Sequence, residues 1–305
     1  MMEGQAASRF VRVVDGFYSE AQALRAVFDE RFAETRSTRG DRFVWDYWHV
    51  PDQYTLLRTP AWEYFPAALY EAFHTHLVTW GRRTLGCWDV SPPWLSCYVE
   101  GCEQHLHSDV PHGPWAFVYS LTVGESFRGG ETEILRPEVL DYWPRFLGAK
   151  ERERASFTLR VPARFDRLVV FDPRFPHGVT RVSGTHDPRE GRLVVHGWFT
   201  EPRVFAEGPL GDEALARVLD PAVERIGPAV ADLGPFHGFL GVRLRIAPEG
   251  SATAEALANT LVCLEAPGGG EEEEVEARVL ALLSELRFPA ASEATEATLP
   301  LLFGE

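Results

Sequence analysis

The sequence predicts an α+β chain. Its core is a jelly roll of short strands buttressed by N-terminal helices, and a small α+β C-terminal domain follows. Three observations predict this. Two segments with helical spacing of apolar residues precede residue 84. Between Trp94 and Thr200, eight short apolar segments follow one another, punctuated by Gly, Pro and Asp, as in sandwiches and barrels. Beyond about residue 207 the composition turns acidic. Residues 201–305 hold nineteen Asp plus Glu against seven Arg, a net −12 out of −15 for the whole chain.

In chain order, Phe10–Val14 alternates as a short strand. From about Ser19 to Ala33, the residues Ala23, Leu24, Val27, Phe28 and Phe32 fall on one helical face. Ser19 stands as the cap, with Gln22 at the capping-box position. A second amphipathic helix runs from about Thr59 to Arg83 and breaks near Pro66, with Leu69, Phe73 and Leu77 on its apolar stripe. The strand run reads WLSCYV, EQHLHSD, WAFVYSLTV, ETEILR, FTLRV, RLVVFD, HGVTRV and RLVVHGWFT. The C-terminal part reads as a helix over Asp212–Ile226, a strand over Gly241–Ile246 and mixed sequence to Cys263. A polar hinge (Gly268–Glu274), a helix (Glu272–Leu286) and a last strand (Thr295–Phe303) complete it. The domain boundaries are therefore 1–207 and 208–305.

A composition of 45% hydrophobic and 12% aromatic residues supports a sizeable core. No apolar run is long enough to span a bilayer, and the first residues lack the pattern of a leader, so a soluble, cytoplasmic protein is expected. The net charge of −15 disfavours nucleic acid and anionic membrane as partners. Cys87, Cys97, Cys102 and Cys263 form no C-x-x-C pair and read as buried, reduced thiols.

The chemistry is carried by His107-Ser108-Asp109. Residues i and i+2 of a strand face the same side, which sets an imidazole beside a carboxylate. A third ligand must come from another strand, and His177, after the turn DPRFP, is the candidate. Two histidines and one carboxylate on one octahedral face leave open positions for further ligands, the arrangement of Fe(II) oxygenases.

Around these residues stand Tyr98, nine positions before His107, then Gly101, the strand WAFVYSLT and Gly129-Gly130-Glu131-Thr132. Arg192 stands six residues before Trp198. In that order, residues 94–200 resemble the double-stranded β-helix core of the 2-oxoglutarate/Fe(II) dioxygenases of the prolyl 4-hydroxylase type. The resemblance implies iron held by His107, Asp109 and His177. It implies 2-oxoglutarate and O2 as cosubstrates, and hydroxylation of an unactivated C–H bond with release of succinate and CO2. It also implies Arg192 as the fork for the cosubstrate's far carboxylate, with Tyr119 and Tyr98 on the cosubstrate side. The one departure is the longer gap from His177 to Arg192, which holds GTHDPREG. The presence of Asp109 argues against halogenation, since related halogenases lack this carboxylate.

Arg192, Val194, His196 and Trp198 share strand parity and are expected to face inward, as is Val179 with His177. His196 is the candidate to support the site from behind the ligands. His112, on the loop DVPHGPW, is a candidate at the mouth, whereas His105 reads as structural. The implied substrate is a peptidyl residue; a free amino acid or small natural product is the alternative. A non-catalytic cupin-like metal sensor and a zinc hydrolase are the competing classes. The aromatic segment Arg42–Tyr54 borders the opening or belongs to the core. Residues 238–303 faintly resemble TonB C-terminal-like domains, which implies a protein partner bound by strand addition; a lid or a dimerisation module is the alternative.

Overall fold

A computed structural model describes residues 10–33, 45–109, 112–124, 126–136, 157–263 and 270–304. Arg42–Val44, Val110, Pro111 and the Gly268–Gly269 start of the expected hinge lie outside the described residues. The chain divides into two compact units, one of residues 1–77 and 90–200, the other of 78–89 and 201–305.

The first unit begins with β1 (Val11–Asp15), α1 (Ala21–Phe32), β2 (Asp46–Val50), β3 (Tyr54–Pro60), α2 (Ala61–Tyr64) and α3 (Ala67–Leu85). The last turns of α3, from Val78, group with the second unit, as does most of β4 (Cys87–Val90). Eight strands follow: β5 (Trp94–Tyr98), β6 (Glu103–His107), β7 (Trp115–Ser120), β8 (Thr132–Leu135), β9 (Thr158–Val161), β10 (Arg167–Phe171), β11 (His177–Val179) and β12 (Arg192–Pro202). Their order is β10-β7-β12-β5 in one layer and β6-β11-β8-β9 in the other, with antiparallel pairing throughout. Early and late strands interleave in each layer, which is the topology of a jelly roll. The strand β3 joins the layers by pairing with both β5 and β6.

Strand parity divides the layer centred on β12. Leu193, Val195 and Phe199 are fully buried on the face away from the cavity. Rings from the helical side cover that face: Phe73 of α3 packs on Tyr119 with centroids 4.9 Å apart, and Phe17 on Tyr119 at 5.6 Å. Burying such side chains contributes about 1.5–3 kcal/mol each, which fixes the layer against the helices. The break expected near Pro66 lies between α2 and α3, but Thr59 belongs to β3 rather than to a helix. Ser19 is not the cap of α1. The helix is entered through Glu20 without a side-chain cap bond, and the backbone carbonyl of Tyr18 accepts from the N–H of Ala21.

The second unit contains β13 (Phe205–Glu207), α4 (Asp212–Val230), β14 (Phe236–Ile246), β15 (Ala252–Asn259), β16 (Val262–Cys263), α5 (Glu271–Ser284) and β17 (Thr295–Phe303). Its sheet runs β13-β17-β14-β15, with β16 pairing to β14. Leu215, Leu219 and Ile226 of α4 share one apolar core with Val275, Val279 and Leu283 of α5 and with Val242 and Leu244 of β14. Among the described residues, no helix is long and apolar enough to cross a membrane.

Candidate metal centre and cavity

The end of β6 lies against β11, with His107 and His177 as register partners. The two strands approach closely at Gly178, where an added Cβ would come within 2.3 Å of the Gln104 carbonyl oxygen. Only glycine tolerates that approach, which brings the two imidazoles together with centroids 4.5 Å apart. Asp109 follows β6 and is tied by its N–H to the Pro173 carbonyl at 3.0 Å. One ligand atom from each of His107, Asp109 and His177 lies within 4.8 Å of the others. The closest approaches are 3.3 Å from His107 Nε2 to Asp109 Oδ1 and 3.2 Å from His177 Nε2 to Asp109 Oδ2.

The tautomers follow from the partners. His107 Nδ1 donates to the His105 carbonyl at 2.8 Å, and His177 Nδ1 donates to the Phe175 carbonyl at 2.9 Å. A carbonyl only accepts, so each neutral ring presents an Nε2 lone pair toward the carboxylate. Three acceptors facing one another repel unless a cation sits among them. Without a metal that cation is a proton on the imidazoles: burial pushes the Asp109 carboxyl up, but protonated His107 and His177 outweigh it and hold the group well below the usual carboxylate range. Burial alone would lower the pKa of His107, yet Asp109 and the His105 carbonyl raise it above the ordinary value. A divalent metal satisfies all three donors at once, with the Nδ1–H bonds fixing ring orientation from behind. Trp198 Nε1 donates to Asp109 Oδ2 at 3.2 Å and orients the carboxylate.

A cavity of about 720 Å³ opens from this cluster into the barrel. Arg192, Val194, His196 and Trp198 line it together, as do Val179, Tyr98 and His112. Arg192 is 1% exposed, and its guanidinium carbon lies 4.6 Å from the Tyr98 ring centroid. Its Nη2 donates to Thr132 Oγ1 at 3.2 Å, while among the described residues Nε and Nη1 are buried without a partner of good hydrogen-bond geometry, the Tyr98 side chain lying beside them. Gly130 makes room for it, since a Cβ there would stand 3.2 Å from Arg192 Cδ. A buried guanidinium with donors to spare is costly to leave unpaired, and its planar fork suits a carboxylate. The other basic residues near this stretch are spoken for: Arg181 pairs with Glu103 and Arg189 with Asp187.

His196 also lies in the cavity, with Nε2 2.8 Å from Ser96 Oγ. Burial, reinforced by the charge of Arg192, brings its pKa down to about 3, so it stays neutral. His112 stacks on Trp198 at 4.5 Å between centroids. His105 is exposed and bonds the Asp52 carbonyl, outside the triad.

Tyr119 does not reach the cavity. Ser120 and Val118 pair with Val194 and His196, so the inward positions of β7 are 116, 118 and 120. Tyr119 points to the helical side and donates to Asp166 Oδ1 at 2.8 Å. Its assignment to the cosubstrate is corrected; the parity of β7 against β12 carried the signal. Thr132 and Arg58 were not singled out from sequence, yet both line the cavity. Thr132 was visible only as the end of the Gly-Gly-Glu-Thr motif, and Arg58, on β3, falls between the aromatic segment ending at Tyr54 and the helix expected from about Thr59.

No family model and no curated protein matches the chain. Solved structures do. A prolyl-4-hydroxylase from Pseudomonas putida aligns at 16% identity over 64% of this chain and 94% of that one, with a TM-score of 0.42. HygX from Streptomyces hygroscopicus, with nickel and 2-oxoglutarate bound, aligns at 11% identity over 61% and 80%, TM-score 0.41. A prolyl hydroxylase from Trichoplax adhaerens, in complex with a hypoxia inducible factor peptide fragment, aligns at 14% identity over 63% and 84%, TM-score 0.39. None of these comparisons supports the likeness of residues 238–303 to TonB domains.

Proposed function

We propose that this protein is a 2-oxoglutarate- and Fe(II)-dependent oxygenase that hydroxylates a C–H bond. The observation that carries the reading is the triad itself. Two imidazoles, each with Nδ1–H committed to a backbone carbonyl, aim their remaining nitrogens at one carboxylate, beside a buried guanidinium that forms no ion pair among the described residues. When bound, iron and 2-oxoglutarate supply O2 activation coupled to decarboxylation, which yields succinate and CO2.

The chain's own residues do the rest. His107, Asp109 and His177, a ligand set that leaves positions for further ligands, would hold the metal. Trp198 keeps Asp109 turned toward it, and the carboxylate stays ionised. Arg192, backed by Thr132 and the Tyr98 ring, receives the far carboxylate of the cosubstrate. His196, neutral and tied to Ser96, is a polar wall that adds no charge to the cavity. Val179 and Val194 make the neighbouring wall apolar, which excludes water.

A peptidyl substrate is the reading that the motif order implies, whereas a free amino acid or small acid is favoured by the cationic cavity wall at Arg58. The test is aerobic incubation with Fe(II), ascorbate and 2-oxoglutarate over pools of peptides and small acids. One pool is expected to stimulate succinate release in step with a product 16 Da heavier. Metal and 2-oxoglutarate binding with no succinate from any pool would favour a non-catalytic sensor instead.

A further inference from the structure

Arg58 is a second cation in the same cavity, and nothing in the oxygenase reading uses it. It faces inward from β3, where its register partner is Ser96, the residue that holds His196. Its guanidinium lies against the faces of Trp48 and Trp94. Tyr54 extends this aromatic wall, stacked on Trp48 at 5.7 Å between centroids. The Nε of Arg58 is buried without a hydrogen-bond partner, and among the described residues no carboxylate forms an ion pair with the group. Asp46, its register partner on β2, is exposed and acts on it only through space. Burial brings the pKa of Arg58 down to about 10, which leaves it charged at neutral pH.

Charge balance says what this group is for. The charged side chains on the cavity wall are Arg58, Arg192, Asp109 and, exposed at the rim, Asp52. A ferrous ion, Asp109, dianionic 2-oxoglutarate and Arg192 cancel one another. Of the two that remain, Asp52 is exposed to solvent at the rim and makes no ion pair with Arg58 among the described residues, so the half-buried guanidinium keeps hydrogen-bond donors free for an anion inside the cavity. Two indole faces hold the guanidinium plane while its edge keeps donors for a planar anion.

We infer that the substrate is a small organic acid whose carboxylate docks on Arg58 between Trp48 and Trp94, with the rest of the molecule reaching toward the metal. This rests on the oxygenase reading and names its substrate class. A residue inside a peptide chain has no carboxylate on its main chain to offer, so a free amino acid or another small acid fits this wall better. A phosphate monoester has related chemistry, and the test separates the two.

The test uses the whole chain loaded with Ni(II) and saturating 2-oxoglutarate, so that Arg192 is occupied. Binding is read by calorimetry or ligand-observed NMR. The probes are free L-amino acids and short alkanoic and arylalkanoic acids, each paired with its primary amide and, where one exists, its phosphate monoester analogue. At least one acid is expected to bind about tenfold or more tightly than its amide. Arg58→Met should remove that preference while Arg58→Lys retains part of it. No preference for acid over amide in the native chain, whether both bind or neither does, overturns the inference. So does a preference that survives in Arg58→Met, and a stronger preference for the phosphate overturns the carboxylate assignment. Failure of Ni(II) and 2-oxoglutarate to bind at all would instead sink the oxygenase reading on which this one rests.

Discussion

Arg192 and Tyr119 stand on neighbouring strands and face opposite ways. Both were chosen by their place in a motif, and only parity separates them. The alternation along β12 was legible because Arg192, Val194, His196 and Trp198 repeat every second residue. The facing of β7 was not, since WAFVYS is apolar at both parities and both its faces are buried: one lines the cavity and the other packs on helices. The pair gives a sharp contrast. Arg192→Ala is expected to weaken 2-oxoglutarate binding by about tenfold or more, because a buried charge-assisted contact is worth roughly 1.5–3 kcal/mol. Metal affinity should stay near its native value. Tyr119→Phe is expected to leave cosubstrate affinity unchanged and to cost about 1 kcal/mol of stability through the lost bond to Asp166. Calorimetric titration with 2-oxoglutarate, together with thermal melts, reads both outcomes.

At the scale of elements, the eight-strand run and its punctuation were readable. So was the last strand, which spans Thr295–Phe303 as its alternation indicates. The hairpin of β2 and β3 was not. Its aromatic residues lack clean alternation, and its role depends on β3 fitting between β5 and β6, a non-local pairing that no local pattern encodes. That hairpin carries Trp48, Tyr54 and Arg58, so the wall proposed to meet the substrate was the least legible part. The edge strand β1 offers a test of its own. Arg167 on β10 makes a paired contact to Asp15 on β1, at 2.5 and 2.8 Å. The hydrogen bonds from Arg167 hold the Asp15 carboxyl below its ordinary value. A lowered folded-state pKa stabilises the fold above the unfolded value and ceases to do so as pH falls through the folded one. Asp15→Asn should therefore lower the melting temperature at pH 7 by the modest amount of an exposed pair, ~0.2–1 kcal/mol. The gap between native and variant should shrink as pH drops below about 4. Melts across pH 2–7 check it; a gap that widens in acid would contradict the pairing.

For the whole molecule, two units with separate cores place every residue of the candidate site, from Trp48 to Trp198, in the first. Among the described residues, the acidic C-terminal part contributes no side chain to the cavity wall. The division is nonetheless not a single cut in sequence. Residues 78–89 group with the C-terminal unit, where the Arg83 carbonyl accepts from Thr298 Oγ1 at 2.9 Å and Arg83 pairs with Glu207. A chain ending at Glu207 is expected to keep its metal affinity and to melt at a lower temperature, since the end of α3 loses its bond from Thr298. Loss of metal binding on truncation would place part of the site outside the first unit. The most direct trial of the metal centre is an anaerobic Fe(II) titration in the presence of 2-oxoglutarate, followed by visible absorption. The native chain should develop a weak charge-transfer band that saturates at one iron per chain, and His177→Ala should develop none. A native chain that stays colourless, or a band undiminished in His177→Ala, would contradict the account.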